Sequence, residues 1–289
     1  MENIQIVTDS CSSLTKEECK KRNIICLETS YILNDVPHTA FDEEDVSLPE
    51  FYKKLEVMKS CSTSNIALST FEECFAKLVA EGKKVVYIGL STALSSTFSY
   101  AEAAAKAINE KTGKKVVAVI NSNSGSYGEM LVVDTTEEAL KNGMKFEDIE
   151  EKMNDFAQTV ASAFVAKDLN FIHKCGRLNI IEASLGKLFK IVPIICTDKS
   201  VNGKLKVTDK CIGTKLAYKT LRNKFVKLIT ENKAKRCYIA SCDLDADAEE
   251  LKKFILENTD IKEEYIKMGY IDKTMSCCCG PKTLAIFCG

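Results

Sequence analysis

The sequence has almost no excess charge and no apolar run of membrane-spanning length. Its 289 residues include 40 Lys and Arg and 41 Asp and Glu, for a formal net charge of -1. General affinity for nucleic acid needs clustered positive charge, so we expect no nucleic-acid partner. A membrane helix needs about 20 consecutive apolar residues. Because no such run occurs and the N-terminus does not resemble a signal peptide, we expect a cytoplasmic protein without membrane insertion.

The sequence also lacks the short motifs of the common nucleotide and metal sites. It contains neither Gly-x-x-x-x-Gly-Lys-Ser/Thr nor Gly-x-Gly-x-x-Gly, which excludes the usual phosphate-binding loops. Its two histidines, His38 and His173, are too few for a histidine-based metal centre. None of its cysteines forms a Cys-x-x-Cys pair. We therefore expect neither a metal ion nor an organic cofactor.

Cysteine, by contrast, is abundant. Fourteen cysteines are scattered along the chain, and several, such as Cys26 and Cys74, lie within apolar runs. Without a secretory signal, the better interpretation is reduced thiols that pack as small hydrophobic side chains. Three cysteines are consecutive at residues 277–279. Adjacent residues of an extended chain point to opposite faces, so this run would chelate one tetrahedral metal poorly.

The order of predicted elements indicates an α/β protein with two domains. Strands alternate with helices up to about residue 161, which favours a mainly parallel sheet flanked by helices in a domain of residues 1–162. The remainder combines hairpins with crossovers. It therefore predicts a mixed or antiparallel sheet with helices in a second domain, residues 163–289.

Local signals place several elements along the chain. Capping-box patterns predict three helix starts, residues 204–207 read as the return strand of a hairpin, and residues 261–268 read as a strand. Residues 180–189 predict a short apolar helix. The three capping pairs are Thr15 with Glu18, Ser47 with Glu50, and Ser69 with Glu72.

The segment at residues 85–109 predicts an anion site. An apolar strand at 85–88 leads into a turn that contains Ser91, Thr92, Ser95, Ser96 and Thr97, and an alanine-rich helix follows. The first N–H groups of a helix lack intrahelical partners and attract negative charge. With hydroxyls added and no Lys or Arg in the turn, the site suits one anionic group held by hydrogen bonds. A plain Ser/Thr-rich capping loop is the alternative.

Two other strand ends carry similar side chains. Residues 8–10 follow the first strand, and residues 121–122 follow the strand after the alanine-rich helix. In an open parallel sheet, ligands bind outside the carboxyl ends of the strands. Hydroxyls or an amide at three such ends indicate a binding site there more strongly than any one of them.

A serine esterase is a second hypothesis. Residues 89–93 follow a strand and resemble a loose nucleophile elbow centred on Ser91. His173 would then serve as the base and Asp168 as the acid. The second glycine of the elbow is missing, and the helix is predicted to begin nearer Thr97 than Ser91.

Several motifs in order resemble the DegV family of bacterial fatty-acid-binding proteins, over nearly the whole chain. The motifs are Ile6-Val7-Thr8-Asp9-Ser10, Cys61-Ser62-Thr63-Ser64-Asn65, Leu94-Ser95-Ser96-Thr97, the segment 168–177 that ends in Cys175-Gly176-Arg177, the stretch 185–194, and Gly280-Pro281.

The resemblance implies a two-domain α/β protein that buries one long-chain fatty acid, such as palmitate, stearate or oleate, between its domains. In the family, the residues matching Thr63 and Ser95 hold the carboxylate. Ser64, Thr97 and Ser122 are further candidates for this role. The second domain would cover the acyl chain, with pocket candidates that could equally be plain core: Ile180, Leu185, Leu188, Phe189 and Ile194.

The resemblance further implies a carrier without catalytic residues of its own. Some family members present the acid to an ATP-dependent fatty acid kinase, which phosphorylates the carboxyl group. This chain departs from the family pattern in several places, and an Arg commonly found before the long helix has no clear counterpart around residues 210–215. Cys278 stands where the family usually has His, Cys175 replaces the first glycine of Gly-Gly-Arg, and Asn121 replaces a frequent Asp. Whether a kinase partner exists is left open by these departures.

Overall fold

The computed structural model describes residues 3–42, 46–58, 60–178 and 191–289. Within these ranges the α-helices are α1 Lys16–Arg22, α2 Leu48–Val57, α3 Leu68–Ala80, α4 Thr97–Thr112, α5 Tyr127–Lys141, α6 Phe146–Thr159, α7 Leu169–Lys174, α8 Thr214–Asn232, α9 Asp245–Asn258 and α10 Lys273–Cys279. The strands are β1 Ile4–Asp9, β2 Ile25–Leu27, β3 Ser30–Leu33, β4 Val36–Thr39, β5 Cys61–Ser64, β6 Lys84–Gly89, β7 Val117–Asn121, β8 Ala161–Ala166, β9 Ile191–Asp198, β10 Lys204–Ile212, β11 Cys237–Ser241, β12 Ile266–Tyr270 and β13 Thr283–Cys288.

The first sheet is parallel and covered on both faces. Its strand order is β2-β1-β6-β7, and every pairing is parallel. Along β6, Val85 and Tyr87 pack in the core with α3 and α4, whereas Val86 and Ile88 pack in the core with α5 and α6. Since both faces are buried, the strand reads as an uninterrupted apolar run, as the sequence indicates.

The second sheet is mixed. Its order is β10-β9-β8-β13-β11-β12, in which β11 and β12 are parallel and the other neighbours are antiparallel. One face packs on α8 and α9 through residues such as Val165, Ile239 and Ile286. On the opposite face, Tyr238 and Phe287 share a core cluster with residues of α5. The predicted fold class, α/β with a parallel and a mixed sheet, is confirmed.

A third, small sheet and a short helix join the two parts of the chain. The sheet has the order β4-β3-β5 and is antiparallel. Helix α10 lies late in the sequence but packs against β5, β3 and α2. The hydroxyl of Tyr52 on α2 donates to the carbonyl oxygen of Ile271 at 2.5 Å, just before α10. Because α5 also contacts both large sheets, the division at residue 162 stays a prediction.

Several local predictions are confirmed, and others are wrong for identifiable reasons. The capping boxes of Thr15 with Glu18 and Ser47 with Glu50 are both present. The third is not, because α3 begins two residues earlier than predicted, with Ala67 instead of Ser69 at its N-cap. The predicted strand 261–268 is Ile266–Tyr270, preceded by a 3-10 turn. The predicted helix at 180–189 lies outside the described residues.

The β9–β10 hairpin is longer than predicted and reaches the first sheet. Strand β10 continues to Ile212, and a 3-10 turn and Gly203 form the connection. Gly203 has a φ of +80°, and a Cβ atom there would lie 2.2 Å from the carbonyl oxygen of Asn123. Only glycine fits this close approach without displacing the hairpin. The hairpin tip is therefore seated on the loop that follows β7.

Candidate functional site

A cavity lies where the three sheets meet. Its volume is about 1000 Å³, counting the space at its open mouth. Residues of the first sheet's strand ends, the β9–β10 hairpin, β8, β13 and α10 all contribute to its wall. The apolar part of the wall consists of Leu90, Leu94, Phe164, Ile172, Leu205, Ile271, Met275, Ala285 and Phe287. A cavity with this lining suits a ligand that is largely hydrocarbon.

A group of hydroxyl and amide side chains lines the same cavity. Thr63, Ser64 and Asn65 come from the end of β5, and Ser95 and Thr97 come from the turn between β6 and α4. Ser64 and Asn65 are exposed to solvent, and Thr63 and Ser95 are half-buried. The polar group therefore lies at a part of the cavity wall that reaches the protein surface.

Hydrogen bonds hold the turn against the end of β5. The hydroxyl of Ser95 lies 2.9 Å from Oδ1 of Asn65 and 3.0 Å from Oγ1 of Thr97. It also accepts a hydrogen bond from the backbone N–H of Thr97 at 3.2 Å, at the first residue of α4. Oγ1 of Thr97 in turn accepts from the backbone N–H of Ile66 at 3.3 Å. Ser95 is thus positioned at a helix N-terminus, where an anion is favoured.

Thr63 is placed by strand pairing. It lies opposite Tyr31 in the β3–β5 ladder, and its Oγ1 is 3.8 Å from Sγ of Cys278 on α10. Both Thr63 and Cys278 line the cavity. A side chain from the first part of the chain and one from its C-terminal part therefore meet at the polar end.

Arg177 adds a positive charge that the predicted turn does not contain. Its side chain lines the cavity, and its guanidinium donates hydrogen bonds to the carbonyl oxygens of Leu94 and Cys175. The contact with Leu94 places it one residue from Ser95. The sequence motif ending in Arg177 marks this residue, but its proximity to the turn depends on the fold.

The predicted binding residues divide into three groups. Thr63, Ser64, Ser95 and Thr97 line the cavity. The hydroxyl of Ser122 is buried and donates to the carbonyl oxygen of Ser124 at 3.0 Å, and it is Ser124 that lines the cavity. For the acyl-chain candidates, Ile180, Leu185, Leu188 and Phe189 lie outside the described residues.

Ile194, the remaining acyl-chain candidate, lies elsewhere. It is fully buried in the core cluster that β8 and β9 form with α8 and α9. Side chains of a strand alternate between its two faces, and Ile194 occupies the face away from the cavity. Thr197 and Leu205 of the same hairpin reach the cavity.

Ser91 has the environment of a structural serine. It is fully buried, and its hydroxyl donates to the carbonyl oxygen of Asn202 in the hairpin and accepts from the backbone N–H of Ala93. His173 Nδ1 lies 3.2 Å from the carbonyl oxygen of Leu178, and Asp168 caps α7 by accepting from Asn170. With its proton directed to a carbonyl, Ser91 lacks the base that a nucleophile requires.

Three carboxyl groups lie in or close to the cavity wall, and the sequence alone does not show that they lie near one another. Asp9 and Glu129 are fully buried, and burial raises the pKa of each. Asp9 accepts from the hydroxyl of Tyr87 at 2.8 Å, and Oδ1 of Asp272 accepts from the N–H of Met275 at 2.9 Å. Burial raises the pKa of Asp272 to about 6, against the opposing effect of its hydrogen bonds. The sequence places Asp9 at the end of a strand, but its complete burial depends on the fold.

Among the described residues, no group of three or more His, Cys, Asp and Glu side chains is arranged to hold a metal ion. In the same ranges, none of the helices combines the length and apolar character needed to cross a bilayer.

Comparisons with known proteins match the chain over nearly its whole length. A family model described as an uncharacterised protein of the DegV family matches residues 3–288. A DegV domain-containing protein of Clostridium acetobutylicum is 29% identical over 268 residues, which is 92% of this chain and 91% of that protein.

Two solved structures are similar in fold. A DegV family protein from Ruminococcus gnavus, refined with vaccenic acid, has a TM-score of 0.84 at 19% identity and covers 99% of this chain and 100% of that chain. A stearic acid-binding protein from Eubacterium ventriosum has a TM-score of 0.84 at 18% identity and covers 100% and 98%.

Asp272→Asn should stabilise the protein at high pH and not at low pH. Because the folded-state pKa of Asp272 is raised, its contribution favours folding below its unfolded pKa, near 4, and is lost as pH rises through about 6. Asn keeps an oxygen for the N-cap but has no charge to bury. The expected gain in the free energy of unfolding is up to about 3 kcal/mol at pH 8 and close to zero at pH 4.

Urea unfolding at both pH values measures this difference. Asp198→Asn is the matched control, because Asp198 also caps a helical turn but hydrogen bonds to Ser200 lower its pKa. This control should lose stability at pH 8. An equal effect of Asp272→Asn at both pH values would contradict the assignment.

Proposed function

The chain belongs to the DegV family, and we propose that it binds one long-chain fatty acid in the cavity, with the carboxylate at the polar end. The observation that carries the proposal is the combination of an apolar wall with hydroxyls and one guanidinium at its surface end. This arrangement matches a ligand with a long hydrocarbon chain and one anionic head group.

The energetics of such a ligand agree with this arrangement. Burying roughly ten methylene groups at about 0.8 kcal/mol each gives on the order of 8 kcal/mol, before the cost of ordering the chain. A carboxylate buried without partners would cost several kcal/mol, so hydrogen-bond donors are needed at its end of the cavity. Thr63, Ser95 and Arg177 are donors of the required kind.

Similar proteins support the ligand class. The Ruminococcus gnavus structure is described with vaccenic acid, and the Eubacterium ventriosum protein is described as stearic acid-binding. One of these acids is unsaturated and the other saturated. We infer that the cavity of this chain accepts acids of comparable length.

We assign the head group to Thr63 and Ser95, with Ser64 and Thr97 beside them. Arg177 supplies the positive charge, since its guanidinium lies against the turn that carries Ser95. For the acyl chain we propose the apolar wall described above, together with Ile180, Leu185, Leu188 and Phe189 from the sequence motif. Ser122 and Ile194 are left out of this assignment because of their positions in the fold.

A fatty acid should co-purify with the protein. Mass spectrometry of an organic extract from denatured, purified protein measures this directly, and we expect a long-chain acyl species in near-stoichiometric amount. Failure to find any acyl species, from protein that also does not bind added palmitate or oleate, would refute the proposal.

Thr63→Ala and Ser95→Ala should each weaken fatty-acid binding. A hydrogen bond to a charged group contributes about 1.5–3 kcal/mol, which corresponds to a roughly ten- to hundredfold loss of affinity. Isothermal titration with oleate on delipidated protein measures the loss. The melting temperature of the ligand-free protein should change little for Thr63→Ala, whereas Ser95→Ala also loses the hydroxyl that accepts from the N–H of Thr97 and should melt slightly lower.

Matched controls exist on the same elements. Ser62 is exposed on β5 beside Thr63, and Ser99 is exposed on the first turns of α4, so Ser62→Ala and Ser99→Ala should bind as the unmodified protein does. If the Thr63 and Ser95 variants instead lost about 1 kcal/mol of stability and kept their affinity, these hydroxyls would be local caps.

We extend the proposal to a carrier that presents the acid to an ATP-dependent fatty acid kinase. Ser64, Asn65 and Ser96 are exposed near the assigned head group, so the carboxyl group would lie close to the protein surface. A kinase that acts on the bound acid needs such access.

With a bacterial fatty acid kinase, ATP and oleate-loaded protein, hydroxylamine should trap an acyl phosphate as the hydroxamate. Cys278→His, which introduces the residue usual in the family, is the informative comparison. Hydroxamate from both proteins would support the carrier role. Hydroxamate from Cys278→His alone would show that this chain binds the acid without serving that kinase.

A further inference from the structure

The three consecutive cysteines each meet a thiol from another element. Residues 277–279 are the last turn of α10, and successive residues of a helix point about 100° apart, so they face three directions. The Cys61 thiol raises the pKa of Cys277, the Cys175 thiol raises the pKa of Cys278, and the Cys279 thiol raises the pKa of Cys242, so each thiol of the run lies close to one from another part of the chain. The run is therefore helical and lies at the centre of a thiol cluster, in contrast to the extended segment considered in the sequence analysis.

Distances place two of these thiols against one backbone atom of α10. The thiols of Cys61 and Cys175 lie 3.8 Å and 3.7 Å from the carbonyl oxygen of Cys277, which is one of the last carbonyls of α10. Sγ of Cys278 lies 3.8 Å from Oγ1 of Thr63 and lines the cavity. The cluster therefore borders the assigned head-group site.

The two thiols of the Cys175–Cys278 pair differ in how readily they ionise. The hydrogen bond from Cys278 lowers the pKa of Cys175, and the charge of Arg177 acts in the same direction. The interaction with Cys175 and burial both raise the pKa of Cys278. Cys175 is thus the more readily ionised thiol, and only a thiolate attacks an electrophile efficiently. For Cys74, on α3, burial raises the pKa, and no thiol is among the causes that shift it within the described part of the chain.

We propose that Cys175 and Cys278 are a peroxide-reactive thiol pair whose disulfide weakens fatty-acid binding. The effect on binding rests on the proposed function, whereas the thiol chemistry does not. The pair stands on the 3.7 Å contact of the Cys175 thiol with the carbonyl oxygen of Cys277, the neighbour of Cys278, and on the position of Cys278 in the cavity wall.

The reaction balances with hydrogen peroxide as the oxidant. The Cys175 thiolate attacks one peroxide oxygen, an S–O bond forms, the O–O bond breaks, and the hydroxide released takes up a proton to give water. The sulfur of Cys278 then attacks the sulfenic acid of Cys175, an S–S bond forms, the S–O bond breaks, and a second water leaves. Two thiols lose two electrons, and peroxide is reduced to two molecules of water.

The disulfide would change the polar end of the cavity. An S–S bond is about 2.05 Å long, far shorter than a thiol hydrogen bond, so Sγ of Cys278 must move toward Cys175. Such a shift takes Sγ of Cys278 away from Oγ1 of Thr63, which the proposed function assigns to the head group. Loss of one hydrogen bond at the head group corresponds to an affinity about tenfold lower.

Peptide mapping of the full-length protein tests the pair. Reduced, delipidated protein is treated with hydrogen peroxide, alkylated and digested with trypsin, which should release residues 175–177 linked to residues 274–282. Fragment spectra assign the linked cysteine. The link should form in the unmodified protein, in Cys74→Ser and in Cys61→Ser, and it should disappear in Cys175→Ser and Cys278→Ser. Melting curves establish that each variant is folded.

Two results would overturn the proposal that Cys175 and Cys278 form a disulfide. The first is oxidised protein in which residues 175–177 remain alkylated and unlinked. The second is a Cys278→Ser variant that still links residues 175–177, because another cysteine would then be the partner.

Oleate titration of the same samples tests the effect on binding. We expect oxidation to lower affinity about tenfold in the unmodified protein, dithiothreitol to restore it, and Cys278→Ser to be insensitive to peroxide. Unchanged affinity in fully linked protein would overturn the effect on binding. Absence of binding by the reduced protein would instead refute the proposed function, while the peptide map still decides the thiol chemistry.

Discussion

The buried carboxylate of Asp9 holds in place the edge of the first sheet that borders the cavity. It accepts hydrogen bonds from the hydroxyl of Tyr87, from the backbone N–H of Leu90 and from that of Cys11. These donors come from β6, from the turn after it and from the turn after β1. A fully buried carboxyl group is costly unless it is well hydrogen-bonded, so the three donors constrain both turns together. The turn that leads to Ser95 starts from this point.

A second set of bonds ties the C-terminal part of the chain to the first sheet. Ser13 donates to Asp272 at 2.7 Å, and the hydroxyls of Thr29 and Thr274 lie 2.8 Å apart. Together with the hairpin seated on the loop after β7, these contacts close the cavity from two sides. The binding site is therefore a property of the assembled molecule, and most of its wall comes from segments distant in sequence.

The thiol-rich wall gives the site a chemical character of its own. Position 278 holds Cys where the motif quoted in the sequence analysis has His, and position 175 holds Cys where that motif has glycine. The two replacements lie close together, and each is near a head-group residue, Thr63 or Arg177. The two together create a pair that can be oxidised and reduced.

The sequence by itself determined the elements whose signals are local. The capping boxes before α1 and α2, the apolar run of β6 and the hydroxyl turn before α4 are set by residues a few positions apart, so the α/β fold class was predictable. Strand β5 and helix α10 were not, because Cys61-Ser62-Thr63-Ser64 and residues 273–279 have weak intrinsic preferences. Pairing with β3 and packing on β5 decide their conformation.

The contacts of Arg177 with Leu94, of Cys278 with Thr63 and of Ser91 with Asn202 join residues about 80 to 215 positions apart. Such contacts were decided only by the tertiary structure, because no periodicity or spacing in the chain encodes which distant segments lie together.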